Sequence, residues 1–378
     1  MMSGLNIFFS AWKYLTGCVR DSINALDEDK LKNLFSLLIE ARKHAVIVDG
    51  MGRSLQSMLL VEDCMEHNGF PIILPASNAC LRPWKPNDLF FFNSGSGTGS
   101  PITHAQHAKK DGLRVIGMTY NAGIQSEFPD VLVLAPSENK NPLYAPLGTE
   151  FELTSAVVGT CLGYSVRDTI QESLDDFREA TKQIVNRFDT TITYFEQNLE
   201  MLMDFIRIIT EYLTSPVKKN VYFRGVGRDQ IVNQVAAIRY GHLRKEPDKD
   251  LHVIYEGHWD LRKEGDLIIV TSGSGSTSQT MDYAIQAFVS GMRVFGITSF
   301  ANSDLGRFTK RVDGNLIVPG RLDPFSMYNV IHTERKHYLP EFELNVYLTL
   351  DALLAQIASN NGITEEDMRR SHRLKYLE

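Results

Sequence analysis

The chain is written twice, and this repeat constrains its fold more than any other feature. Val46 to Arg53 (VIVDGMGR) returns as Val221 to Arg228 (VYFRGVGR), and Asp88 to Gly97 (DLFFFNSGSG) returns as Asp266 to Gly275 (DLIIVTSGSG). Gly112 to Thr119 (GLRVIGMT) is echoed by Gly291 to Thr298 (GMRVFGIT), and Glu150 to Leu153 (EFEL) by Glu341 to Leu344 (EFEL). Matching blocks in the same order divide the 378 residues into two copies of one unit, residues 1–172 and 173–378, the second ending in a helical tail.

Each copy reads as short, continuously apolar strands separated by helical stretches, the pattern of a parallel sheet covered on both faces. In the first copy the strands are expected near residues 45–49, 71–74, 88–93, 113–118 and 131–134. Apolar spacing of three and four predicts helix over Asp27 to Arg42 ahead of the first copy and over Leu174 to Leu213 ahead of the second. The predicted fold is α/β: two tandem doubly wound domains, each with a mainly parallel five-stranded sheet flanked by helices.

Composition removes several function classes. A net charge of -7 argues against a nucleic-acid partner, which would call for a basic stripe. Cys18, Cys64, Cys80 and Cys161 have neither CxxC spacing nor histidines at zinc-finger intervals, so no metal and no disulfide framework is expected. No apolar run reaches membrane-spanning length, and Met1 to Leu15 lacks a basic segment ahead of its apolar stretch. These features predict a cytoplasmic protein with no membrane association and no cofactor.

In open α/β sheets ligands sit beyond the carboxyl ends of the strands, where loops lead into helix N-termini that attract anions. Ser94, Ser96 and Thr98 in the first copy, and Ser272, Ser274, Ser276 and Thr277 in the second, interleave with glycines directly after an apolar strand. Glycines let a ligand approach the backbone, and the hydroxyls donate to phosphate oxygens without carrying charge. A plain serine-glycine turn would look the same in one copy; its recurrence at the same corner favours a phosphate site. Gly50 with Arg53 and Gly225 with Arg228 also follow strands. Neither copy completes GxGxxG, because Leu55 and Ile231 stand where a third glycine would be, so a dinucleotide is disfavoured. The two arginines are candidates for holding a phosphate or carboxylate.

Three passages carry a family resemblance: Gly52-Arg53-Ser54 followed by Glu66 to Phe70 (EHNGF), Pro146 to Glu152 (PLGTEFE), and the tail from Thr364 to His372 (TEEDMRRSH) continuing to Leu377 and Glu378. Here the chain resembles the sugar isomerase domain superfamily and, within it, is most similar to 6-phospho-3-hexuloisomerase. The resemblance implies a flavodoxin-like sheet and an isomerase of sugar phosphates working through an enediol. It makes Glu152 and Glu343 the catalytic bases, with Glu150 and Glu341 as the competitors two residues earlier. His67 and His242, each seventeen residues beyond its paired glycine, are assisting candidates, although a lone helical histidine is more often structural. His332, His337 and His372 have no counterpart in the first copy.

The chain departs from the family in two ways. The glutamate usual after the serine-rich loop is missing, with Thr98-Gly99-Ser100-Pro101 and Ser276-Thr277-Ser278-Gln279 in its place. The two domains, normally separate subunits, are fused. The reading is a phosphosugar isomerase, with conversion of 3-hexulose 6-phosphate to fructose 6-phosphate the first choice. Another sugar-6-phosphate isomerase or a deaminating amino-sugar isomerase is the near alternative, and a non-catalytic sugar-phosphate-binding regulator the distant one. A small sugar phosphate is the expected partner. The halves are expected to pack as an intramolecular pseudo-dimer that itself forms a homodimer.

Overall fold

The computed structural model describes residues 4–76, 83–134, 140–217, 219–245, 252–254, 262–321 and 339–374. His332 and His337 lie outside them, as does Cys80.

In the first half, β1 (Val46–Gly50), β2 (Ile73–Pro75), β3 (Leu89–Asn93), β4 (Arg114–Thr119) and β5 (Val131–Val133) form a five-stranded sheet in the order β2-β1-β3-β4-β5. In the second, β6 (Asn220–Arg224), β7 (His252–Ile254), β8 (Leu267–Thr271), β9 (Arg293–Thr298) and β10 (Asn315–Ile317) repeat it as β7-β6-β8-β9-β10. Every pairing is parallel, and the order reverses between β1 and β3 and between β6 and β8. Such a reversal opens a crevice at the carboxyl ends of the strands.

The sequence pattern marked only part of the helical layer. Helix α2 (Glu28–Ala41) starts where Asp27 caps it, accepting the backbone N–H groups of Asp29 and Lys30. The long predicted stretch ahead of the second half resolves into α6 (Ile170–Gln197) and α7 (Leu199–Leu213), so the expected boundary at 172/173 falls in the first turn of α6. Helix α1 (Asn6–Asn24) covers what the sequence marks only as a short apolar stretch, and it buries Phe8, Trp12 and Leu15 completely or nearly so.

Strand side chains alternate between two environments. In β1, Val46 and Val48 face a core shared by both halves, and Ile47 faces a smaller one with Phe90, Phe92 and Ala105. The shared core is continuous from α1 through α3 (Arg53–His67), α5 (Thr149–Ser165) and α6 to α8 (Arg228–Gly241) and α11 (Glu341–Asn360). Helix α3 packs against α5 within its half and against α8 of the other, and α11 packs against α8 and α1. The halves therefore lie sheet, helices, sheet, with one hydrophobic interior between them. Helices α4 (Ser100–Lys110), α9 (Ser278–Val289) and α10 (Asp304–Val312) cover the outer faces. No described helix is long and apolar enough to cross a membrane.

Candidate functional site

Each serine loop is pressed against the helix that carries the paired glutamates. A Cβ at Gly95 would come within 2.8 Å of the Phe151 ring, and one at Gly273 within 2.8 Å of the Phe342 ring, so only glycine lets loop and helix meet. Glu152 and Glu343 are the next residues along. Ser94 is buried and donates to the Thr98 carbonyl at 3.1 Å, and the Ser96 and Thr98 hydroxyls lie 2.7 Å apart at the surface. In the second loop the hydroxyls of Ser272 and Ser274 converge on Thr277 at 3.2 and 3.4 Å, and the Ser276 N–H donates to Ser274 at 3.3 Å. The loops run into the N-termini of α4 and α9, where Gly99 and Thr277 occupy the N-cap positions without a side-chain capping bond.

Gly50 ends β1 and Gly225 follows β6; their N–H groups donate within their own turns, to Asp49 and Gln230, each at 2.9 Å. Gly52 and Gly227 then take φ of 60° and 59°, a left-handed entry into α3 and α8 that a side chain would strain. That entry turns Arg53 and Arg228, the first helical residues, into the interior between the halves. Arg53 lies 3.1 Å from Glu152, 2.5 Å from Asp351 and over the Tyr347 ring at 5.4 Å. Burial opposes its charge, but the Asp351 and Glu152 carboxylates hold the guanidinium ionised. Arg228 is paired with Asp63 of the first half. The sequence makes both arginines candidates for a phosphate or a carboxylate; in the structure both pair with carboxylates of the protein itself.

Glu152 sits in a cluster of four charges drawn from both halves, with Arg53, Arg239 and Asp351. Arg239, on α8, approaches it at 3.5 Å and donates to Thr149 at 2.5 Å, while Asp351 comes from α11. Burial raises the Glu152 carboxyl above the usual range, against the pull of Arg53 and Arg239. Burial and the nearby Arg53 bring the Arg239 guanidinium down to about 10. With two arginines and two carboxylates, the cluster closes without net charge.

The second cluster is built differently. Glu343, 1% exposed, pairs with Arg321 at 2.8 Å. Asp229 lies in the first turn of α8 and accepts the Gly273 N–H of the serine loop at 3.3 Å. Burial and then the Glu343 carboxylate push the Asp229 carboxyl up to about 8, so it carries a proton at neutral pH. One oxygen on each of these two buried acids has no protein hydrogen-bond partner. Asp229 stands where the first copy has Ser54, and Arg239 where it has Cys64.

The remaining candidates separate. His67 ends α3, 2.7 Å from the Asp63 carbonyl and 3.3 Å from its carboxylate, which reaches across to Arg228. The Asp63 hydrogen bond raises the His67 pKa. His242 is buried at the end of α8, one turn beyond Arg239, with its ring edge on His372 of α12 (Glu365–Leu374) at 5.0 Å. Each histidine thus belongs to the helix that reaches toward the opposite half. Glu341 is held by Arg187 and Gln183, a structural engagement at the start of α11. Glu150 is buried beside Tyr120, and burial raises its pKa.

Sequence reasoning missed Arg239, Asp351, Asp63, Asp229 and Arg321. It also missed His104, which contacts the buried Asp49 at 2.8 Å on the outer side of the first sheet. A signal existed for Asp351, the one charge between Glu343 and Asn360 in a mainly apolar helix, because a buried charge needs a partner. Where the aligned copies differ in charge, at Ser54/Asp229 and Cys64/Arg239, marked two more.

No family model matches the chain. An uncharacterized protein of Aeropyrum pernix is 31% identical over 162 residues, 41% of this chain and 73% of that one. A 3-hexulose-6-phosphate isomerase of Methylomonas aminofaciens is 28% identical over 154 residues, 40% of this chain and 77% of its own. Both matches span about two fifths of this chain. Solved structures align over both halves. The C-terminal domain of glucosamine-fructose-6-phosphate aminotransferase from Francisella tularensis covers 95% of this chain and 96% of its own, at 16% identity and a TM-score of 0.62. Tagatose-6-phosphate ketose/aldose isomerase from Escherichia coli covers 96% and 95%, at 13% identity and a TM-score of 0.63. At these identities the structures speak for the fold, and each sequence match covers about three quarters of its relative. The repeat, the paired sheets and these relatives together place the chain in the sugar isomerase domain family, as a member with two such domains in one polypeptide.

Proposed function

We propose that the chain is a phosphosugar isomerase, and that its substrate is a hexulose 6-phosphate, with interconversion of 3-hexulose 6-phosphate and fructose 6-phosphate the preferred reaction. One observation carries this reading: in both halves a glutamate at a helix start sits one residue beyond the ring that packs on the serine-loop glycine. The similarity to the Methylomonas aminofaciens enzyme supports the choice of sugar.

In this reading the phosphate rests on the serine-loop hydroxyls and N–H groups at the N-terminus of α4 or α9. Glu152 takes the proton from C2, the C2 electrons form the 2,3-enediol, and the C3 oxygen accepts a proton. The enediol then collapses to a carbonyl at C2, the O2 proton leaves, and Glu152 returns its proton to C3. Burial raises the Glu152 carboxyl and so strengthens it as a base, as general base catalysis near neutral pH requires. His242 would move protons between the oxygens at the Glu152 site and His67 at the Glu343 site, since each projects from the helix that reaches into the other half.

A coupled assay over hexose and hexulose 6-phosphates tests the proposal; turnover of none of them, with several bound, would remove the enzyme. A second reading, a regulatory sugar-phosphate site in the second half, draws on the 2.8 Å pairing of Glu343 with Arg321. It requires that loss of Glu343 leaves turnover intact.

A further inference from the structure

The outer faces of the two halves differ where the repeat says they should match. Aligning α4 with α9 on their buried alanines, Ala105 with Ala284 and Ala108 with Ala287, places Gln106, Lys109 and Lys110 opposite Ile285, Phe288 and Val289. In the first half Lys109 donates to the Glu127 carbonyl at 2.6 Å and lies 5.6 Å over Phe128, so a cation seals the outer aromatic from water. In the second half Phe288 packs edge-on against Phe308 at 5.7 Å and is itself half exposed. Ile285, Phe288 and Val289 are 46%, 50% and 78% exposed. Beside this ridge is a groove of about 640 Å³ between α9 and α10, lined by Phe288, Phe308 and Val312 with Asp304, Arg307 and Arg311 on its rim. The fold does not need this apolar face, because its twin does without one.

We propose that this face is an interface between two copies of the chain, related by a two-fold axis, with the Ile285–Val289 ridge of each seated in the α9–α10 groove of the other. Ridge and groove occupy the same face, which is what an isologous contact requires: each copy offers the knob and receives it. The charges agree. The chain carries a net charge of -7, yet the exposed Lys310 and Arg311 stand at this rim beside the Arg307–Asp304 ion pair at 2.9 Å, with the exposed Asp282 on α9 nearby. A second acidic copy is drawn to the basic rim, and under two-fold pairing the acid of one ridge meets the base of the other groove twice. The contact lies on the outer side of the second sheet, opposite the helices that join the halves, so it leaves the internal pairing untouched.

Sedimentation velocity of the full chain over a concentration series tests this. Wild type is expected to be a dimer. Phe288→Lys with Val289→Lys, the residues of the first half, should weaken the dimer about a hundredfold while preserving the unfolding midpoint. Ile285→Asp provides an independent variant should that pair fold poorly, with the same weakening expected. Arg311→Glu should weaken it about tenfold through the rim alone. A wild-type monomer at every concentration overturns the proposal, as does a dimer whose Kd is unchanged by the ridge variants. An unchanged Kd in Arg311→Glu would remove the charge argument for a second copy.

Discussion

The two halves share a sheet, a serine loop and a helix that begins Glu-Phe-Glu, yet they hold the second glutamate in different electrostatic company. In the first half Glu152 sits between two arginines, one from each half, with Asp351 completing a neutral four-charge cluster. In the second half Glu343 has Arg321 on one side and the proton-bearing Asp229 on the other. The divergence lies in the neighbours, at Ser54/Asp229 and Cys64/Arg239, and both pairs sit on the helices α3 and α8 that face each other across the pseudo-dimer. Once fused, two copies need no longer be self-complementary. Each side of the interface is free to specialise, and here one gained a cation and an acid that the other lacks.

The largest expected effect is on turnover. Glu152→Gln combined with Glu343→Gln should lower kcat by roughly two to four powers of ten and leave sugar-phosphate binding largely intact, the expected cost of a missing general base. The single changes read the comparison directly: equal partial losses mean two working sites, and loss from one alone identifies the silent half. A double variant that folds, binds and isomerises at the original rate would move the base to Glu150 and Glu341.

Stability should separate the halves next. Arg53→Ala strands Asp351 and Glu152 in a buried cluster, and removal of one member of such a network costs about 3–5 kcal/mol. Arg228→Ala should cost less, because Asp63 keeps His67 at 3.3 Å and its side chain is 22% exposed. Denaturant titration decides; equal losses would mean that the two clusters are energetically alike despite their different membership.

Much of this architecture was legible in the sequence because each copy corroborated the other. The strand-ending glycines, the serine loops and the Glu-Phe-Glu helix starts stood out twice, and the structure puts loop and helix together in both halves. What stayed illegible was the traffic between halves. Arg53 looks like a strand-end phosphate ligand until α11 brings Asp351 to within 2.5 Å across 298 residues of chain. Helix α1 shows in the sequence only as a short apolar run, because much of the surface that buries it, α11, belongs to the other copy. Local pattern specifies elements, whereas charged contacts between distant segments depend on how those elements pack.

The serine loops give a smaller, sharper test. Ser96→Leu and Ser274→Leu each remove one hydroxyl and crowd the helix N-terminus, and losing a hydrogen bond to a charged group costs about 1.5–3 kcal/mol. Phosphate affinity at the altered half should fall roughly ten- to a hundredfold, with unfolding little changed because Ser96 is exposed and Ser274 partly so. Unaltered affinity at a half shown by titration to be occupied would refute the loop assignment.

The smallest effect, per pH unit, tests the feature that most distinguishes the second half. Asp229 has its carboxyl raised from 3.8 to about 8 in the folded chain, by burial first and the Glu343 carboxylate second. Between those two values the folded state keeps a proton that the unfolded state has released. The sign then follows: stability due to the protonated acid is fully present below about pH 4 and is lost as pH rises through about 8, at no more than about 1.4 kcal/mol per pH unit. Asp229→Asn keeps the shape and the acceptor for the Gly273 N–H but cannot ionise. Its stability relative to wild type should therefore improve steadily from pH 5 to pH 8.5, measured by denaturant midpoint at each pH. Ser54, the first-half counterpart, offers no such titration, so Ser54→Ala should run parallel to wild type over the same range. Parallel curves for Asp229→Asn would mean that Asp229 is ionised in the folded protein, and the two halves would then differ in geometry but not in their proton inventory.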